Sequence, residues 1–299
     1  MSLDLVAIGR VYADLVFTGL DGTPQPGHEV FARRLDIVPG GGPFITASYA
    51  AALGLRAALW GVAPAAPFEA CVMAGVSRNR IIGLLESPPP GTEPQITAAL
   101  VQGGDRAFVT RRTGPLLPQG ALPEARHLHI GEMTSALEAP GLIATARQRG
   151  MTVSLDCGWD AAMFADPRLA ETVASVDLFL PNDEEIAALH GAGVALRPRQ
   201  ALVIKRGAGG ARAILTASGE ELSAPARETT VLDTTGAGDA FNAGFLAGWL
   251  GGRDPLACLE LGNACGALAV ARIGGAEGLG DLRGLVEGGT ASAEAGQIR

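Results

Sequence analysis

The stretch DTTGAGDAFNAGF, residues 233–245, is the most informative part of the chain. Two glycines, Gly236 and Gly238, precede an apolar segment whose spacing predicts a helix over 237–250. Small residues at the start of a helix let backbone N–H groups converge on one point at the positive end of the helix dipole. Such a loop suits a phosphate group or a developing negative charge.

Asp239 lies within the same loop and favours catalysis over simple anion binding. A carboxylate is costly in a pocket that only binds anions, but beside an anion site it can act as the general base for an attacking hydroxyl. The alternative is a glycine-rich turn in which Asp239 caps the helix. Spacing alone leaves both interpretations open.

The composition excludes several other phosphate-binding and catalytic motifs. The 299 residues include 42 glycines and one lysine, Lys205, and the other 22 basic residues are arginines. A Walker A loop requires Gly-Lys-Ser/Thr, but Lys205 is followed by Arg206. The chain also lacks the Gly-x-Ser-x-Gly of hydrolases, and its first predicted strand is not followed by the Gly-x-Gly-x-x-Gly of dinucleotide-binding enzymes.

The charge balance and the cysteines indicate where the protein works and what it does not bind. The chain has 31 acidic and 23 basic residues and a formal net charge of −8, which argues against a general nucleic-acid or anionic-membrane partner. It has no run of 18 or more apolar residues, and an acid stands near its start where a signal peptide requires positive charge. The scattered cysteines are typical of structural thiols in a reducing compartment, so we expect a cytoplasmic protein.

Alternating strand and helix patterns predict an α/β fold with a mostly parallel sheet covered on both faces. Strands are predicted at 3–8, 57–62, 127–130, 152–156, 178–181, 202–205 and 212–215, and helices at 42–53, 137–149, 167–176, 182–190, 237–250 and 255–271. Four early segments with strand-like patterns, 12–18, 29–38, 95–101 and 106–112, do not fit that layer. They suggest a small separate sheet with a tight turn at 103–105.

Two segments carry a resemblance to a known family. DTTGAGD followed by Ala-Phe closely resembles the C-terminal signature of the ribokinase-like (PfkB) carbohydrate kinases, and GGGPFITASYAAALG, residues 40–54, is similar to the N-terminal signature. The resemblance implies one doubly wound α/β domain over 1–299 with a small β-sheet lid over the sugar. The lid would be built from about 11–38 and 92–114, and residues 289–299 would form a loose tail.

The resemblance implies a division of catalytic roles. Asp239 would deprotonate the substrate hydroxyl, and the amides of Gly236, Ala237 and Gly238 would form the anion hole. Asn182 and Glu185 would serve Mg²⁺, through water, and the phosphates. These two residues lie one helical turn apart and offer hard oxygen ligands, although an ordinary acidic helix start gives the same pattern.

The resemblance also implies a nucleotide site and a second cation site. ATP would lie against a set of residues from the second half of the chain: Asn182, Lys205, Gly207, Gly210, Thr235, Gly238 and Asn263. The carbonyls of Asp233 and Thr235, with the loop 272–276, are similar to the family's monovalent-cation site, for which K⁺ is the candidate.

The expected substrate site departs from the family pattern. Asp14 matches the sugar-hydroxyl aspartate, and Gly40 and Gly41 match the first glycine loop, but Tyr12 and Ile45 stand where many members carry asparagine. The loss of two amides leaves sugar hydroxyls without partners, at about 1–3 kcal/mol each. We therefore expect a less polar or differently oriented substrate than ribose.

These observations lead to one functional hypothesis with two alternatives. The chain is expected to transfer the γ-phosphate of ATP to a primary hydroxyl of a small sugar-like molecule. The alternatives are a nucleoside kinase of the same fold and a catalytically silent sugar- or nucleotide-binding sensor. The lid offers a surface for a homodimer, and Arg111 and Arg112 in the lid are expected to be solvated or to meet an anionic substrate group.

Overall fold

We describe a computed structural model of the chain for residues 2–102 and 105–287. In chain order its strands are β1 (Leu3–Ile8), β2 (Tyr12–Thr18), β3 (Arg34–Gly40), β4 (Ala57–Val62), β5 (Ile82–Glu86), β6 (Ile96–Gln102), β7 (Asp105–Arg111), β8 (Ala125–Ile130), β9 (Thr152–Leu155), β10 (Leu178–Phe179), β11 (Ala201–Lys205), β12 (Ala211–Leu215) and β13 (Glu221–Ala224). The helices are α1 (Gly42–Ala52), α2 (Glu69–Arg78), α3 (Met133–Glu138), α4 (Leu142–Gln148), α5 (Leu169–Ser175), α6 (Asp183–Gly191), α7 (Ala237–Leu250), α8 (Pro255–Val270) and α9 (Arg283–Val286).

The larger sheet has nine strands in the order β13-β12-β11-β10-β9-β8-β1-β4-β5. Every neighbouring pair from β11 to β5 is parallel, and β12 and β13 are antiparallel additions at one edge. Because side chains alternate along a strand, Leu5 and Ala7 of β1 pack with α1, α7 and α8 on one face. Val6 and Ile8 pack with α3 to α6 on the other face. The expected doubly wound α/β fold is confirmed.

The carboxyl ends of five neighbouring parallel strands meet at one edge of this sheet. Arg10 and Glu132 follow β1 and β8, Asp156 and Asn182 follow β9 and β10, and Lys205 ends β11. Ligands of open α/β sheets bind beyond the carboxyl ends of the strands. The topology therefore gathers charged side chains from distant parts of the sequence at the place where a ligand is expected.

A smaller sheet of four strands, in the order β3-β2-β6-β7, is joined to that edge. Strand β2 begins shortly after β1 ends, and α1 begins shortly after β3 ends. The small sheet therefore lies beside the carboxyl ends of the strands of the larger sheet. Buried Arg10 ties the two parts together, since its guanidinium donates to Gln95 Oε1 (3.0 Å) and to the carbonyl oxygens of Thr113 (3.0 Å) and Gly114 (2.8 Å). This sheet is consistent with the expected lid.

Several predicted element boundaries were wrong. The helix predicted at 137–149 is two helices, α3 and α4, because Pro140 and Gly141 interrupt the helical pattern and Gly141 adopts a positive φ of 90°. The strand predicted at 29–38 begins only at Arg34 and runs on to Gly40. Helix α2 and strands β5 and β13 were not predicted. The turn predicted at 103–105 falls largely outside the described residues, and so does the tail at 289–299.

A line of polar side chains is buried on β8 and β9. The ring nitrogens of His127 lie 2.7 Å from Thr152 Oγ1 and 2.7 Å from Ser154 Oγ, and His129 Nδ1 lies 2.8 Å from Ser154 Oγ. Burial lowers the pKa of His127 to about 3 and that of His129 to about 4, so both rings are neutral at pH 7. In residues 2–102 and 105–287, no three His, Cys, Asp or Glu side chains are grouped to hold a metal ion.

No helix within residues 2–102 and 105–287 is long and apolar enough to span a membrane.

Candidate active site

The glycine loop before α7 has the backbone geometry of an anion site. Gly236 is the N-cap of the helix and adopts a left-handed conformation with φ 72°, which glycine tolerates best. A Cβ at Gly236 would lie 2.7 Å from Ile45 Cδ1, so the loop lies directly on that side chain. No side chain caps the first turn of α7. Asp239 is thus inside the helix rather than its cap. The Ala237 amide donates to the Thr234 carbonyl oxygen at 3.3 Å, and no side chain occupies the other N–H groups of the first turn, which helices leave for another partner.

Asp239 is a half-buried carboxylate with an unusual electrostatic environment. Burial, followed by the charge of Asp156, raises its pKa to about 7, against the ammonium of Lys205, which lowers the pKa. Gly42, the first residue of α1, approaches closely, since a Cβ there would lie 2.6 Å from Asp239 Oδ1. A carboxylate with a pKa near neutrality is suited to accept a proton at physiological pH.

Two residues that the sequence did not single out surround Lys205. Its ammonium lies 2.7 Å and 2.9 Å from the two carboxylate oxygens of Asp156 and 3.4 Å from Asn242 Oδ1. Asn242 Nδ2 in turn donates to Asp156 Oδ2 at 2.5 Å. The available signals were an aspartate directly after a buried strand and an asparagine one helical turn beyond Asp239. Neither shows from the sequence alone that the two side chains meet.

Asn182 and Glu185 form a capping box at the start of α6. Asn182 Oδ1 accepts from the Glu185 amide (2.8 Å), and Glu185 Oε2 accepts from the Asn182 amide (2.8 Å). The acidic helix start is therefore real, but both side chains also line the cavity beside Asp156 and Asp239. Burial and the charge of Asp156 raise the pKa of Glu185 to about 7. Hard oxygen donors in a site with excess negative charge fit a hydrated Mg²⁺ ion.

A cavity of about 920 Å³ extends from Asp239 over the ends of β10 and β11. Its wall includes Lys205, Gly207, Gly210 and Asn263 of the predicted nucleotide site. Gly210 (φ 81°) must be glycine, because a Cβ there would lie 2.1 Å from the Ala224 carbonyl oxygen. The Asn263 amide donates to the carbonyl oxygens of Ala224 (3.1 Å) and Pro225 (2.9 Å), so it holds the strand end that borders the cavity. The volume and the wall suit a nucleotide.

The predicted acceptor residues lie at the other end of the site, where the small sheet meets α1. The Asp14 carboxylate lies over Gly40, where a Cβ would come within 2.0 Å of its Oδ2. Burial raises the pKa of Asp14 to about 7, although a hydrogen bond with the Thr97 side chain lowers the pKa. Gly41 has φ 97°, and a Cβ there would lie 2.3 Å from the Arg10 carbonyl oxygen. Both glycines are required by close approach of neighbouring atoms.

The neighbours of Tyr12 add an acidic residue that sequence reasoning missed. Tyr12 is buried, and its pKa is raised mainly by this burial and, to a smaller extent, by the negative charge of Glu132. Glu132 lines the cavity and accepts from the Arg10 amide (3.3 Å) and the Ser135 hydroxyl (2.8 Å). An acid directly after a buried strand was the signal that could have identified it.

Ile45 is almost fully buried, with 4% of its surface exposed. Its side chain packs beneath Gly236 and Gly275, where Cβ atoms would lie 2.7 Å and 3.0 Å from Ile45 Cδ1. This position supports the glycine loop and gives little surface to a substrate. The structure thus relates Ile45 to the anion loop rather than to the cavity.

Asp233 joins the glycine loop to the loop predicted to share a cation with it. Its Oδ1 accepts from the amide (2.9 Å) and hydroxyl (2.6 Å) of Thr235, and its Oδ2 accepts from the Gly274 amide (3.0 Å). The side chain of Asp233 is consequently occupied by these bonds. Backbone carbonyl groups of the two loops are the atoms that remain for a cation.

The lid arginines are paired with acids. Arg111 forms an ion pair with Glu93. Arg112 pairs with Asp160 (2.7 Å) and Glu138 (3.6 Å) of the larger part of the molecule. Arg112 thus links the small sheet to the body in this structure, and both guanidinium groups have acidic partners.

Comparison with known proteins agrees with this geometry. A profile of the pfkB family of carbohydrate kinases matches residues 2–281. The chain is 34% identical over 172 residues to the ATP-dependent ribose-1-phosphate kinase of Halopiger xanaduensis, and the match covers 56% of each protein. It is 25% identical over 291 residues to the ribokinase of Bacillus subtilis, covering 92% of this chain and 96% of that one. The chain thus spans only about half the length of the Halopiger relative.

Solved structures show the same fold at low sequence identity. The nucleoside kinase of Methanocaldococcus jannaschii superposes with a TM-score of 0.81 at 19% identity, covering 96% of this chain and 98% of that one. A putative ribokinase II of E. coli, solved with ATP and Mg²⁺, superposes with a TM-score of 0.75 at 20% identity, covering 96% and 98%. Because the family profile matches most of its length, the chain belongs to the pfkB family of carbohydrate kinases.

Proposed function

We propose that the protein transfers the γ-phosphoryl group of ATP to a primary hydroxyl of a small sugar-like molecule. The observation that carries this proposal is the position of Asp239, a carboxylate with a pKa near neutrality beside the N–H groups of Gly236, Ala237 and Gly238. It lines the large cavity and lies against Gly42, the first residue of α1. A protein that only bound sugar or nucleotide would have no use for a base there.

The residues can carry out the transfer in one step. Asp239 takes the proton from the acceptor hydroxyl, whose oxygen forms a bond to the γ-phosphorus while the bond to the β-phosphate oxygen breaks and ADP leaves. The amides of Gly236, Ala237 and Gly238 stabilise the charge on the transferring group. Asn182 and Glu185 would hold Mg²⁺ through water, and the ion supplies charge neutralisation to the phosphates.

ATP would occupy the large cavity between Lys205 and Asn263. Lys205, Gly207, Gly210 and Gly238 line this cavity and would face the phosphate groups, and Asn263 would border the adenine end, where its amide oxygen remains for the base. Thr235, the other residue predicted for this site, bonds to Asp233. The cavity volume of about 920 Å³ is large enough for a nucleotide. A cytoplasmic location, where ATP is available, agrees with the four free thiols in the described chain, three of them buried.

The acceptor would contact Asp14, Glu132 and the backbone of Gly40 and Gly41. Tyr12 offers a phenol rather than an amide, and Ile45 is turned to the core, so fewer groups that bind hydroxyls face the acceptor than two asparagines would give. A substrate less polar than ribose, or one with a substituent at the anomeric carbon, fits this end best. The Halopiger relative acts on such a derivative, ribose 1-phosphate.

We further propose that K⁺ binds between the glycine loop and the loop at 272–276. Asp233 holds the two loops together, and their carbonyl groups, including those of Asp233 and Thr235, are suited to a large monovalent cation. The kinase rate with K⁺ should exceed the rate with Na⁺ or choline at equal ionic strength. Equal rates with all three would contradict this site.

A coupled assay of ADP release tests the proposed function. The acceptors are ribose, ribose 1-phosphate, fructose, deoxy-sugar acids and nucleosides, each with wild type and with Asp239→Asn. We expect at least one acceptor to be phosphorylated, and Asp239→Asn to lower kcat by about 10²- to 10⁴-fold.

Calorimetry of ATP binding is the control for this assay, since Asp239→Asn should bind ATP nearly as well as wild type. Equal turnover by wild type and variant with the best acceptor would show that Asp239 is not the base. Absence of turnover with every acceptor would favour the silent sensor.

A further inference from the structure

Two histidines are buried in the larger sheet, and the proposed transfer reaction uses neither of them. His127 and His129 of β8 pair in register with Thr152 and Ser154 of β9, on the face of the sheet that packs against α7. Both rings are completely buried. Burial of polar atoms costs free energy unless each atom has a hydrogen-bond partner. Two buried imidazoles next to the candidate site therefore point to a supporting role.

The hydrogen bonds of this row follow a two-residue repeat. His127 spans two residues of β9, since its Nδ1 lies 2.7 Å from Thr152 Oγ1 and its Nε2 lies 2.7 Å from Ser154 Oγ. His129 starts the same pattern one step further, with its Nδ1 2.8 Å from Ser154 Oγ. The next residue on this face is Asp156, because side chains two residues apart on a strand share a face. The repeat therefore directs His129 Nε2 toward the ion pair that Asp156 forms.

The Nε2 atom of His129 is the exception in this row. It is buried and has no hydrogen-bond partner among the described residues. Burial lowers the pKa of His129 to about 4, so the ring is neutral at pH 7, and the charges of Asp156 and Lys205 both act on it. The large cavity reaches the ends of both strands, since Gly131 and Asp156 line it. A buried polar atom beside a polar cavity wall is a typical site for an ordered water molecule.

The directions of the hydrogen bonds show that His129 Nε2 is an acceptor. The Thr152 hydroxyl donates to the Arg126 carbonyl oxygen at 3.5 Å, so it accepts from His127 Nδ1–H. A neutral ring that donates through Nδ1 accepts at Nε2. The Ser154 hydroxyl therefore donates to His127 and accepts from His129 Nδ1–H. Because His129 donates through Nδ1, its Nε2 carries a lone pair.

Of the two charged groups, only the lysine has a hydrogen to offer this lone pair. The two oxygens of Asp156 already accept four hydrogen bonds, two from Lys205 and one each from the Asn242 side chain and the Cys157 amide. Two of the three ammonium hydrogens of Lys205 are taken by that carboxylate, and the third meets Asn242 Oδ1 at 3.4 Å, a long contact. A water molecule that accepts this third hydrogen and donates to His129 Nε2 would complete both groups.

We propose that a buried water molecule joins His129 Nε2 to the Lys205 ammonium, and that His129 is a positioning residue for this ammonium. The hydrogen bonds then run without interruption from Arg126, near the start of β8, to the floor of the cavity. A lysine side chain is flexible, and a second fixed contact beside Asp156 holds its ammonium in one place. The proposal rests on the proposed function only where ATP serves as a probe.

The tautomers of the two rings test the proposal in the wild-type protein. Both His127 and His129 are expected to carry their hydrogen on Nδ1. Long-range ¹H–¹⁵N spectra distinguish the two tautomers by the shifts of the ring nitrogens. An Nε2–H tautomer at His129 would overturn the proposal, because that nitrogen would then be a donor. This measurement requires neither a variant nor a ligand.

Two substitutions of His129 separate the roles of its two nitrogens. The amide of His129→Asn can replace Nδ1 and keep the bond to Ser154. The longer side chain of His129→Gln places an amide oxygen near the position of Nε2, where it can accept from water. The glutamine variant should therefore retain the wild-type state of Lys205, and the asparagine variant should lose it. A histidine that only supports the fold through Ser154 predicts the reverse, and that result would overturn the proposal.

The state of Lys205 can be read directly, because it is the one lysine of the chain. Protein labelled with ¹³C-lysine gives a single Cε–Hε signal, which should move in His129→Asn and stay at the wild-type position in His129→Gln. Calorimetry with Mg·ATP provides a second readout. The affinity should fall about 3- to 10-fold in the asparagine variant, as expected for the loss of one water-mediated hydrogen bond, and less than about 2-fold in the glutamine variant.

His127→Asn is the matched control. His127 lies on the same face of the same strand and is equally buried, but both of its nitrogens have partners in the row. This variant should keep the wild-type Lys205 signal and ATP affinity, even if thermal unfolding shows that it loses as much stability as His129→Asn. A Lys205 signal that moves equally in both asparagine variants, or in neither, would overturn the proposal.

The spectra of the ligand-free protein do not depend on the kinase reaction. A chain that phosphorylates no acceptor but shows the expected tautomers and Lys205 signals would lose the proposed function and retain this proposal. A functional kinase with an Nε2–H tautomer at His129 would do the opposite.

Discussion

At Asp239, burial and the neighbouring carboxylates outweigh the stabilising charge of Lys205 and raise the pKa of the carboxyl group toward neutrality. Burial and the carboxylates of Asp156 and Glu185 favour the protonated form, and the ammonium of Lys205 favours the ionised form. The result is a pKa of about 7 instead of 3.8. A base with this pKa is largely ionised at pH 8 and still accepts a proton readily.

The first prediction concerns the pH dependence of the proposed reaction. Asp239 acts when ionised, so kcat/KM should rise with pH and reach half its maximum near pH 7, the pKa of the group in the free enzyme. Below that pH, kcat/KM should fall about tenfold per pH unit. The measurement is the initial rate between pH 5.5 and 9 with ATP and the best acceptor both well below their KM values, because that rate reports the free enzyme.

Asp14 and Glu185 are the necessary controls for this profile, since the pKa of each is also raised to about 7. In Asp14→Asn and in Glu185→Gln, the remaining activity should keep its rise near pH 7 if Asp239 is the group that titrates. A profile that becomes flat in Asp14→Asn would assign the titration to Asp14 and contradict the prediction.

At the scale of elements, the N-termini of α1 and α7 meet at the proposed catalytic centre. Gly42 of α1 touches the Asp239 carboxylate, and Thr46 donates its hydroxyl to the Asp239 carbonyl oxygen (3.2 Å). Ile45 packs under Gly236 in the same contact. The position of Asp239 is therefore set by helix packing as well as by its own loop.

The second prediction is that Gly42→Ala impairs catalysis but not folding. The new Cβ would lie 2.6 Å from Asp239 Oδ1, which is shorter than real contacts allow, so the carboxylate or the helix must shift. Misplacement of a base by this amount should lower kcat by about 10²-fold. The assay is kcat with the best acceptor, together with thermal unfolding.

Gly191→Ala is the matched control, because Gly191 ends α6 and a Cβ there meets nothing within 4 Å. It should retain the wild-type kcat. A Gly42→Ala variant with unchanged kcat would show that the close approach has no catalytic importance.

At the scale of the whole molecule, the small sheet exposes an apolar face. The pairing of its strands places Leu15 beside Ile37 and Ala98, and Ala98 beside Val109. Ile37 and Val109 are 48% and 67% exposed. A continuous apolar face of this kind is typical of a protein–protein contact, so we propose that a second copy of the chain covers it.

The third prediction is that the protein is a dimer and that Ile37→Lys or Val109→Glu makes it a monomer. A charge in the centre of an apolar contact is buried without a partner and prevents association. Light scattering after gel filtration measures the molar mass. Leu256→Lys, which changes an exposed apolar residue of α8 (39% exposed), is the control and should remain dimeric. A monomeric wild type would refute the use of this face.

The features that could be predicted from the sequence are those that depend on residues close together in the chain. The glycine loop with Asp239, the helix start at Asn182 and Glu185, and the strand–helix alternation all lie within short stretches, because backbone conformation and side-chain periodicity are local properties. Even there, Pro140 divided one predicted helix. The roles assigned to those residues remain predictions.

The contacts between residues far apart in the chain became visible only in the folded protein. Asp156 and Asn242 surround Lys205, and Glu132 comes close to Tyr12, because the order of parallel strands and the packing of α7 bring them to one edge. Ile45, expected beside a substrate, instead supports Gly236 because α1 packs against α7. These contacts depend on how whole helices and strands pack to bury their apolar faces. A local sequence pattern predicts the helices and strands but not which of them pack together.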